Sequence, residues 1–343
     1  MAKILTFGEI MLRISPLSTG EKVVQADTFR IEPGGSESNV AIALSNLGER
    51  VAFLTKLPDN ELSEIIYRYL RKYNIDTSYI ATGKGRLGVY YTEYGIGPRP
   101  SLVTYDRENS TFAQADVTDF DTNKINKDFS WFHTSGVSPA VSRKASETLK
   151  KIITKLKKKI RVSIDLNYRK KLWEWVAEPK SESVKSIMLS LCRRAYLLTA
   201  NETDFQDVFG FESNGDTPQK KYSRIAKNAF EEMPELQYVA ISLRESISAS
   251  ENICGGILFL RNGAHFTGPT FRINNIVDRV GAGDSFTAGI IYGIINNNNP
   301  QYIINFAVAL SALKHTVMGD ASQFKKSDVE HLLKSGGEGR IIR

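Results

Sequence analysis

The feature that most constrains this chain is an alternation of short apolar runs with longer segments of helical period, repeated along most of its length. Runs at 4–7, 51–54, 131–134, 161–166, 196–199 and 238–243 read as strands; segments at 36–47, 61–73, 142–158, 183–193 and 222–230 read as helices. In the first helical segment Val40, Ala43, Leu44 and Leu47 fall on one face, and Gly48 is placed to end it. Strands that alternate with helices pair in parallel, and the helices then cover both faces of the sheet. The expected class is therefore α/β, with a mostly parallel central sheet. Two stretches break the rhythm: 11–31 and 85–105 alternate apolar and polar residues between Gly and Pro, with no helical period. They predict a small antiparallel β-sheet that projects as a lid, formed by about 11–33 and 85–110, with the large α/β core built from the remainder. At roughly 150 residues per domain, 343 residues allow two domains or one large domain with an excursion, and we expect a single domain over 1–343.

Composition narrows the functional classes. Hydrophobic residues at 41% and charged residues at 24% are those of a globular chain, which argues against a fibrous or disordered one. No segment reaches the roughly 18 apolar residues of a membrane span, and the first residues, MAKILTFGEI, lack the pattern of a secretion signal, so a cytoplasmic address and no membrane partner are expected. Cys192 and Cys254 are too few for a disulfide scaffold and are expected to be inert thiols. No metal-ligand spacing links His133, His265, His315 and His331, so no resident metal site is expected. The net charge of +7 favours anionic small molecules weakly; the basic run KKIITKLKKKIR has helical spacing and reads as a solvated face, and no nucleic-acid partner is expected. The Gly-rich end after Ser335 predicts a loose tail.

The chemistry concentrates in Asp278 to Gly289, DRVGAGDSFTAG. Gly281, Ala282 and Gly283 are small enough for their backbone N–H groups to approach a polyanion, and the helix that begins near Asp284 aims its positive dipole end at the same point. Asp284 is placed to act as base toward a hydroxyl that attacks a γ-phosphate. A second glycine turn, Gly34 and Gly35, precedes a helix whose first turn carries Asn39, suited to sugar hydroxyls.

These two motifs, GGSESN from Gly34 to Asn39 and DRVGAGD from Asp278 to Asp284, in this order and with the strand–helix pattern between them, resemble the PfkB (ribokinase-like) family of carbohydrate kinases over roughly residues 3–332. The resemblance implies a ribokinase-like fold and an ATP-dependent phosphotransferase with an alcohol acceptor. Asp284 would be its catalytic base, and the backbone of Gly281, Ala282 and Gly283 its anion hole. Mg²⁺ would travel with ATP, and a monovalent cation held by loop carbonyls is a further candidate. The family's Asn-x-x-Glu motif aligns with Asn201 to Asp204, one methylene shorter at the acid, and Arg279 replaces the Thr of the family's DTxGAGD.

Within the family the chain resembles the 2-keto-3-deoxygluconate kinases, through GVYYTEYG (Gly88 to Gly95), TYDR (Thr104 to Arg107), DLNYRKKLW (Asp165 to Trp173) and SLRESISAS (Ser242 to Ser250). A sugar-acid carboxylate calls for a cationic fork and phenolic donors, which Arg107, Arg169, Tyr90 and Tyr105 would supply. Tyr90 falls on the opposite strand face from Val89 and Tyr91, so only one of those faces can look into the site. The same resemblance points to Gly34, Gly35, Asn39, Gly136, Val137 and Asn167 as further substrate contacts, with Asp165 orienting hydroxyls or Arg169. Asn201, Ser242, Arg244, Gly281, Gly283 and Asn305 would serve the nucleotide, with Ala309 and His315 weaker candidates for the adenine wall. The expected reaction is phosphorylation of 2-keto-3-deoxygluconate to its 6-phosphate. The alternatives are a kinase of a neutral sugar or nucleoside (fructose, ribose or adenosine) and a non-catalytic sensor of sugar acids or nucleotides. The free edge of a lid sheet also predicts a homo-oligomer, a dimer through that sheet.

Overall fold

In the computed structural model, which describes residues 3–176, 183–211 and 217–337, two sheets are present. Residues 338–343 of the Gly-rich tail lie outside the described residues. The strands are β1 (Lys3–Phe7), β2 (Met11–Pro16), β3 (Phe29–Gly34), β4 (Arg50–Pro58), β5 (Ile80–Gly83), β6 (Val89–Glu93), β7 (Leu102–Asp106), β8 (Trp131–Ser135), β9 (Arg161–Asp165), β10 (Ala195–Asn201), β11 (Tyr238–Ser248), β12 (Glu251–Leu260), β13 (His265–Thr267) and β14 (Phe271–Ile273). The large sheet runs β13-β12-β11-β10-β9-β8-β1-β4-β5, with β14 on β12. From β5 to β11 every pairing is parallel, as the strand–helix alternation requires, and β12 to β14 add an antiparallel edge.

The order turns back on itself at β1, which lies between β8 and β4. Ligands of open parallel sheets gather at the carboxyl ends of strands beside such a reversal. The helix Ser36–Asn46 starts there, and its Glu37 is buried and fixed by Ser135 and Ser138 at the end of β8. Helix Ala282–Ile295 is apolar all round, and every residue from Asp284 to Ile294 is buried. Buried side chains such as Ile290 and Ile291 contribute about 1.5–3 kcal/mol each. That packing holds the start of the helix, and with it Asp284, in place at the strand ends.

The small sheet, β3-β2-β6-β7, is built from the two irregular stretches and stands apart from the large one. Its outer pairs are antiparallel, whereas β2 and β6 run parallel at its centre. Each of these two is the outgoing strand of its own excursion from the core, so they leave in the same direction, and β3 and β7 return beside them. Register puts Arg13, Tyr90 and Tyr105 in one cross-strand row and Ile14, Tyr91, Ile31 and Thr104 in the next, on the opposite face. The long β11–β12 hairpin reaches up to this sheet, where Ala249 N–H donates to the Gly97 carbonyl at 2.8 Å.

Both cysteines are buried, and burial pushes their thiols up, Cys254 to about 11. Among the described residues no helix is long and apolar enough to cross a membrane.

Candidate active site

Asp284 stands in the first turn of helix Ala282–Ile295 and is buried. Its carboxylate accepts hydrogen bonds from Ser36 Oγ and Asn39 Nδ2, both at 2.7 Å. Asn167, with φ of 34°, donates to Ser36 Oγ at 3.0 Å. The two glycine turns of the sequence thus meet at one carboxylate. Burial raises the Asp284 carboxyl above its usual value, while the Asn39 and Ser36 bonds and the Arg169 charge oppose that rise. A buried, hydrogen-bonded carboxylate of raised basicity suits it to receive a proton.

Gly281 precedes this helix in the left-handed region, φ 79°, and a Cβ there would be driven into the Asp320 carbonyl oxygen. Gly283 is exposed, and a Cβ on it would meet nothing within 4 Å. The N–H groups of a helix's first turn have no partner inside the helix and are available to an anion. The Ala282 N–H turns back to the Arg279 carbonyl at 3.4 Å.

On the lid side, Gly34 is buried at the end of β3, and a Cβ there would overlap Tyr90 Oη and Asp320 Oδ2. Gly35 lies against the Glu9 carbonyl. Tyr90 is buried and its hydroxyl donates to Asp320. The rings of Tyr90 and Tyr105 lie 6.2 Å apart, and the Arg107 guanidinium sits 5.4 Å from the Tyr105 ring centroid. Arg107, one residue past β7, is buried; Nε donates to Glu9 Oε2 at 2.8 Å, a second nitrogen bonds the same oxygen, and Nη1 has no partner.

Arg169 is exposed beyond β9, and its charge stabilises the ionised forms of Asp165, Asp204 and Asp284. Burial raises all three carboxyls, Asp204 to about 6, and Asp165 is raised further by Asp284 and Asp204. Asp165 also accepts a hydrogen bond from Thr287 at 3.2 Å. Asn201 and Asp204 cap one helix reciprocally, each side chain accepting from the other's backbone N–H. Gly136 donates its N–H to the Asp165 carbonyl at 2.8 Å, and Val137 is half-buried beside it.

The residues expected at the nucleotide are more dispersed. Ser242 and Arg244 share a face of β11; Ser242 is half-buried and Arg244 exposed. Asn305 is half-buried in helix Pro300–Lys314 and accepts from Gln301 at 2.8 Å. His315 is buried, with Nδ1 against the Ser311 carbonyl at 2.8 Å, and burial pushes its pKa down to about 4, which fits a neutral packing residue. Arg279 turns from the loop that precedes Gly281 to the carbonyls of Ser248 and Ala249, each at 3.1 Å, and so ties the β11–β12 hairpin to that loop.

Several residues of this constellation have no motif that announces them. Ser36 lies inside GGSESN, where its residue type alone marks no role; Glu9, Glu37 and Asp320 carry no spacing signal at all. Arg13 alone carries a signal, as a cation set between Leu12 and Ile14 in the strand MLRISP. Among the described residues no group of three or more His, Cys, Asp or Glu is placed to hold a metal ion.

Known proteins place this geometry. The chain is 31% identical over 339 residues to the 2-dehydro-3-deoxygalactonokinase of Haloferax volcanii, with 98% of each chain covered. The structure superposes on 2-dehydro-3-deoxygluconokinase from Thermotoga maritima with a TM-score of 0.90 at 38% identity, covering 97% of this chain and 100% of that one. On a PfkB family carbohydrate kinase from Listeria grayi the TM-score is 0.88 at 30% identity, covering 97% and 99%. With the family model matching residues 1–326, an Asp at the start of a buried helix and a glycine-lined opening beside it, the chain belongs to the pfkB family of carbohydrate kinases.

Proposed function

We propose that this kinase phosphorylates a 2-keto-3-deoxy sugar acid, 2-keto-3-deoxygluconate, on its 6-hydroxyl, with ATP as donor. The observation that carries the reading is Arg107, a buried guanidinium at the lid edge with one nitrogen unpartnered and Tyr105 beside it, itself packed on Tyr90. A buried unpaired N–H donor is costly unless something completes it, and a carboxylate is its best complement. Arg169, exposed beyond β9 with its charge acting on Asp284, supplies a second cation. Similarity to enzymes named for the gluconate and galactonate keto-deoxy acids supports the same substrate class.

In this reading the lid and the Gly34 turn hold the sugar acid so that its hydroxyl meets Asp284. The carboxylate takes the hydroxyl proton, the hydroxyl oxygen bonds the γ-phosphorus, and the bond to the β-phosphate oxygen breaks to release ADP. The N–H groups of Gly281 and Gly283 face the charge of the transferred group, and Asn39 and Ser36 fix the base. Positioning supplies most of the rate, since no covalent intermediate is needed. Mg²⁺ bound to the nucleotide would neutralise phosphate charge; Asp165 and Asp204, buried carboxyls of raised basicity, with the Asp204 charge adding to the rise at Asp165, would suit such an ion.

A coupled ADP-release assay tests the proposal against 2-keto-3-deoxygluconate, its galactonate epimer, gluconate, fructose, ribose and adenosine. Higher kcat/KM for a keto-deoxy acid is the expected result. A neutral sugar or nucleoside as the best substrate would retain the kinase and remove the carboxylate site.

A further inference from the structure

Family resemblance makes a monovalent metal ion held by loop carbonyls a candidate, and the carbonyls that back Gly281 in this chain do not fit one. The two loops that back Gly281 are 277–281 and 315–320, joined by hydrogen bonds from Val277 N–H to the His315 carbonyl and from Gly319 N–H to Asp278 Oδ2. Two carbonyls from these loops, Asp278 and Val317, converge on the Nζ of Lys314, at 3.2 and 3.3 Å. Lys314 ends helix Pro300–Lys314 and is fully buried. Next to it, Arg13 bridges Asp278 at 2.7 Å and Asp320. All four charged side chains are buried, and two cations stand against two carboxylates. An additional metal cation would compete with an ammonium for the same carbonyls and leave an excess positive charge in a buried cluster.

We infer that the Lys314 ammonium is a built-in cation of the anion-hole loop, a positioning residue that makes phosphoryl transfer by this kinase independent of monovalent metal ions. The cation draws the Asp278 and Val317 carbonyls together. Asp278 Oδ1 in turn accepts from Val280 N–H at 3.0 Å, and Gly281 rests on the Asp320 backbone, so the loop that presents the anion hole is set from behind. The inference holds whichever sugar is the acceptor.

The test compares K⁺, Na⁺, NH₄⁺ and tetramethylammonium chlorides at one ionic strength, for wild type, Lys314→Ala and Lys314→Met, by ADP release with the best acceptor and by thermal melting without substrates. Wild type should keep kcat within about twofold across the salts, because a metal ion has no vacant set of carbonyls to bind, and its melting temperature should not separate K⁺ from tetramethylammonium. Lys314→Ala should lose about tenfold or more in kcat with a smaller change in sugar KM. Propylammonium or K⁺ should restore part of that kcat and raise the melting temperature of this variant alone. Activation of wild type several-fold by K⁺ or NH₄⁺ over tetramethylammonium would overturn the inference, as would full activity of either variant in tetramethylammonium. If neither variant folds, the wild-type comparison decides the matter by itself, and the melting readout separates loss of cation binding from a wrong choice of acceptor.

Discussion

Gly281 and Gly283 stand two residues apart in one motif, yet an added methyl group meets opposite surroundings at each. At Gly281 the backbone is left-handed, φ 79°, which costs an L-residue about 1–2 kcal/mol. The new Cβ would also lie well under 3.0 Å from the Asp320 carbonyl, so backbone must retreat, and Asp320 holds both Arg13 and Tyr90. Gly281→Ala should therefore destabilise by roughly 2 kcal/mol or more, lowering Tm by about 3 °C or more, and a shift of about 1 Å at the helix start should cost about 100-fold in kcat. Gly283 has no positive φ and open space around its Cα. Gly283→Ala should stabilise by about 0.4–1 kcal/mol through the unfolded chain. Its methyl would nevertheless project into the space where the transferred phosphoryl passes, and kcat should again fall about 100-fold. The assay is differential scanning fluorimetry beside steady-state ADP release on the same preparations. A Gly283→Ala enzyme with raised Tm and wild-type turnover would refute the placement of phosphoryl transfer on the open side of this helix start.

Four further outcomes are expected. Asp284→Asn keeps the Ser36 contact but removes the proton acceptor, so kcat should fall by about 10²–10⁴ while nucleotide affinity, read by calorimetry, stays within a few-fold; unchanged turnover would remove Asp284 as base. Arg107→Lys preserves a cation for Glu9 but not the fork, so KM for the sugar acid should rise about tenfold or more with little change in KM for ATP; equal effects on both would count against the carboxylate contact. The Asp204 carboxyl, about 6 when folded against 3.8 unfolded, binds its proton more tightly in the native state, so its contribution to stability is fully present below about 3.8 and is lost as pH rises through about 6. Asp204→Asn should accordingly gain on wild type by up to about 3 kcal/mol between those limits and by nothing more above them, as denaturant titrations at several pH values would register. Ile31, exposed on the outer lid face with Ile14 and Tyr91 in its row, should lie in a dimer interface, and Ile31→Asp should shift mass toward the monomer in light scattering if the lid sheets pair.

The sequence was most legible where one physical rule acts alone. Long βα units declare themselves by period, so the parallel strands β1, β4, β8, β9, β10 and β11 and the longer helices that follow them are readable from apolar spacing, whereas the short helices Thr122–Asp128 and Glu202–Phe209 are not, and the glycine turns follow from backbone freedom and anion chemistry. The short strand β5 and the edge strands β13 and β14 were not legible, because three or four residues carry too little period to register. The parallel pairing of β2 with β6 was hidden for a different reason: alternation reports which face a residue takes but not the direction in which two distant strands leave the core.

At the site the boundary between legible and hidden follows the same physics. Asp284 and Asn39 are readable because each sits in a helix's first turn, where local geometry assigns a role. Arg13, Lys314, Asp278 and Asp320 acquire theirs only from one another, across as many as 307 positions of sequence. A lysine ending a helix is ordinarily a dipole partner reaching into water; Lys314 reads that way until the fold buries it against two carbonyls. Burial changes the sign of the argument, because a charge that costs little on the surface persists inside only with its full complement of partners. The loop that leads into Asp284 is thus specified twice, locally by Gly281, whose φ nothing else adopts as cheaply, and globally by a buried charge cluster behind it. Loss of either half should therefore be felt at Asp284 even though none of the four charged residues bonds to it.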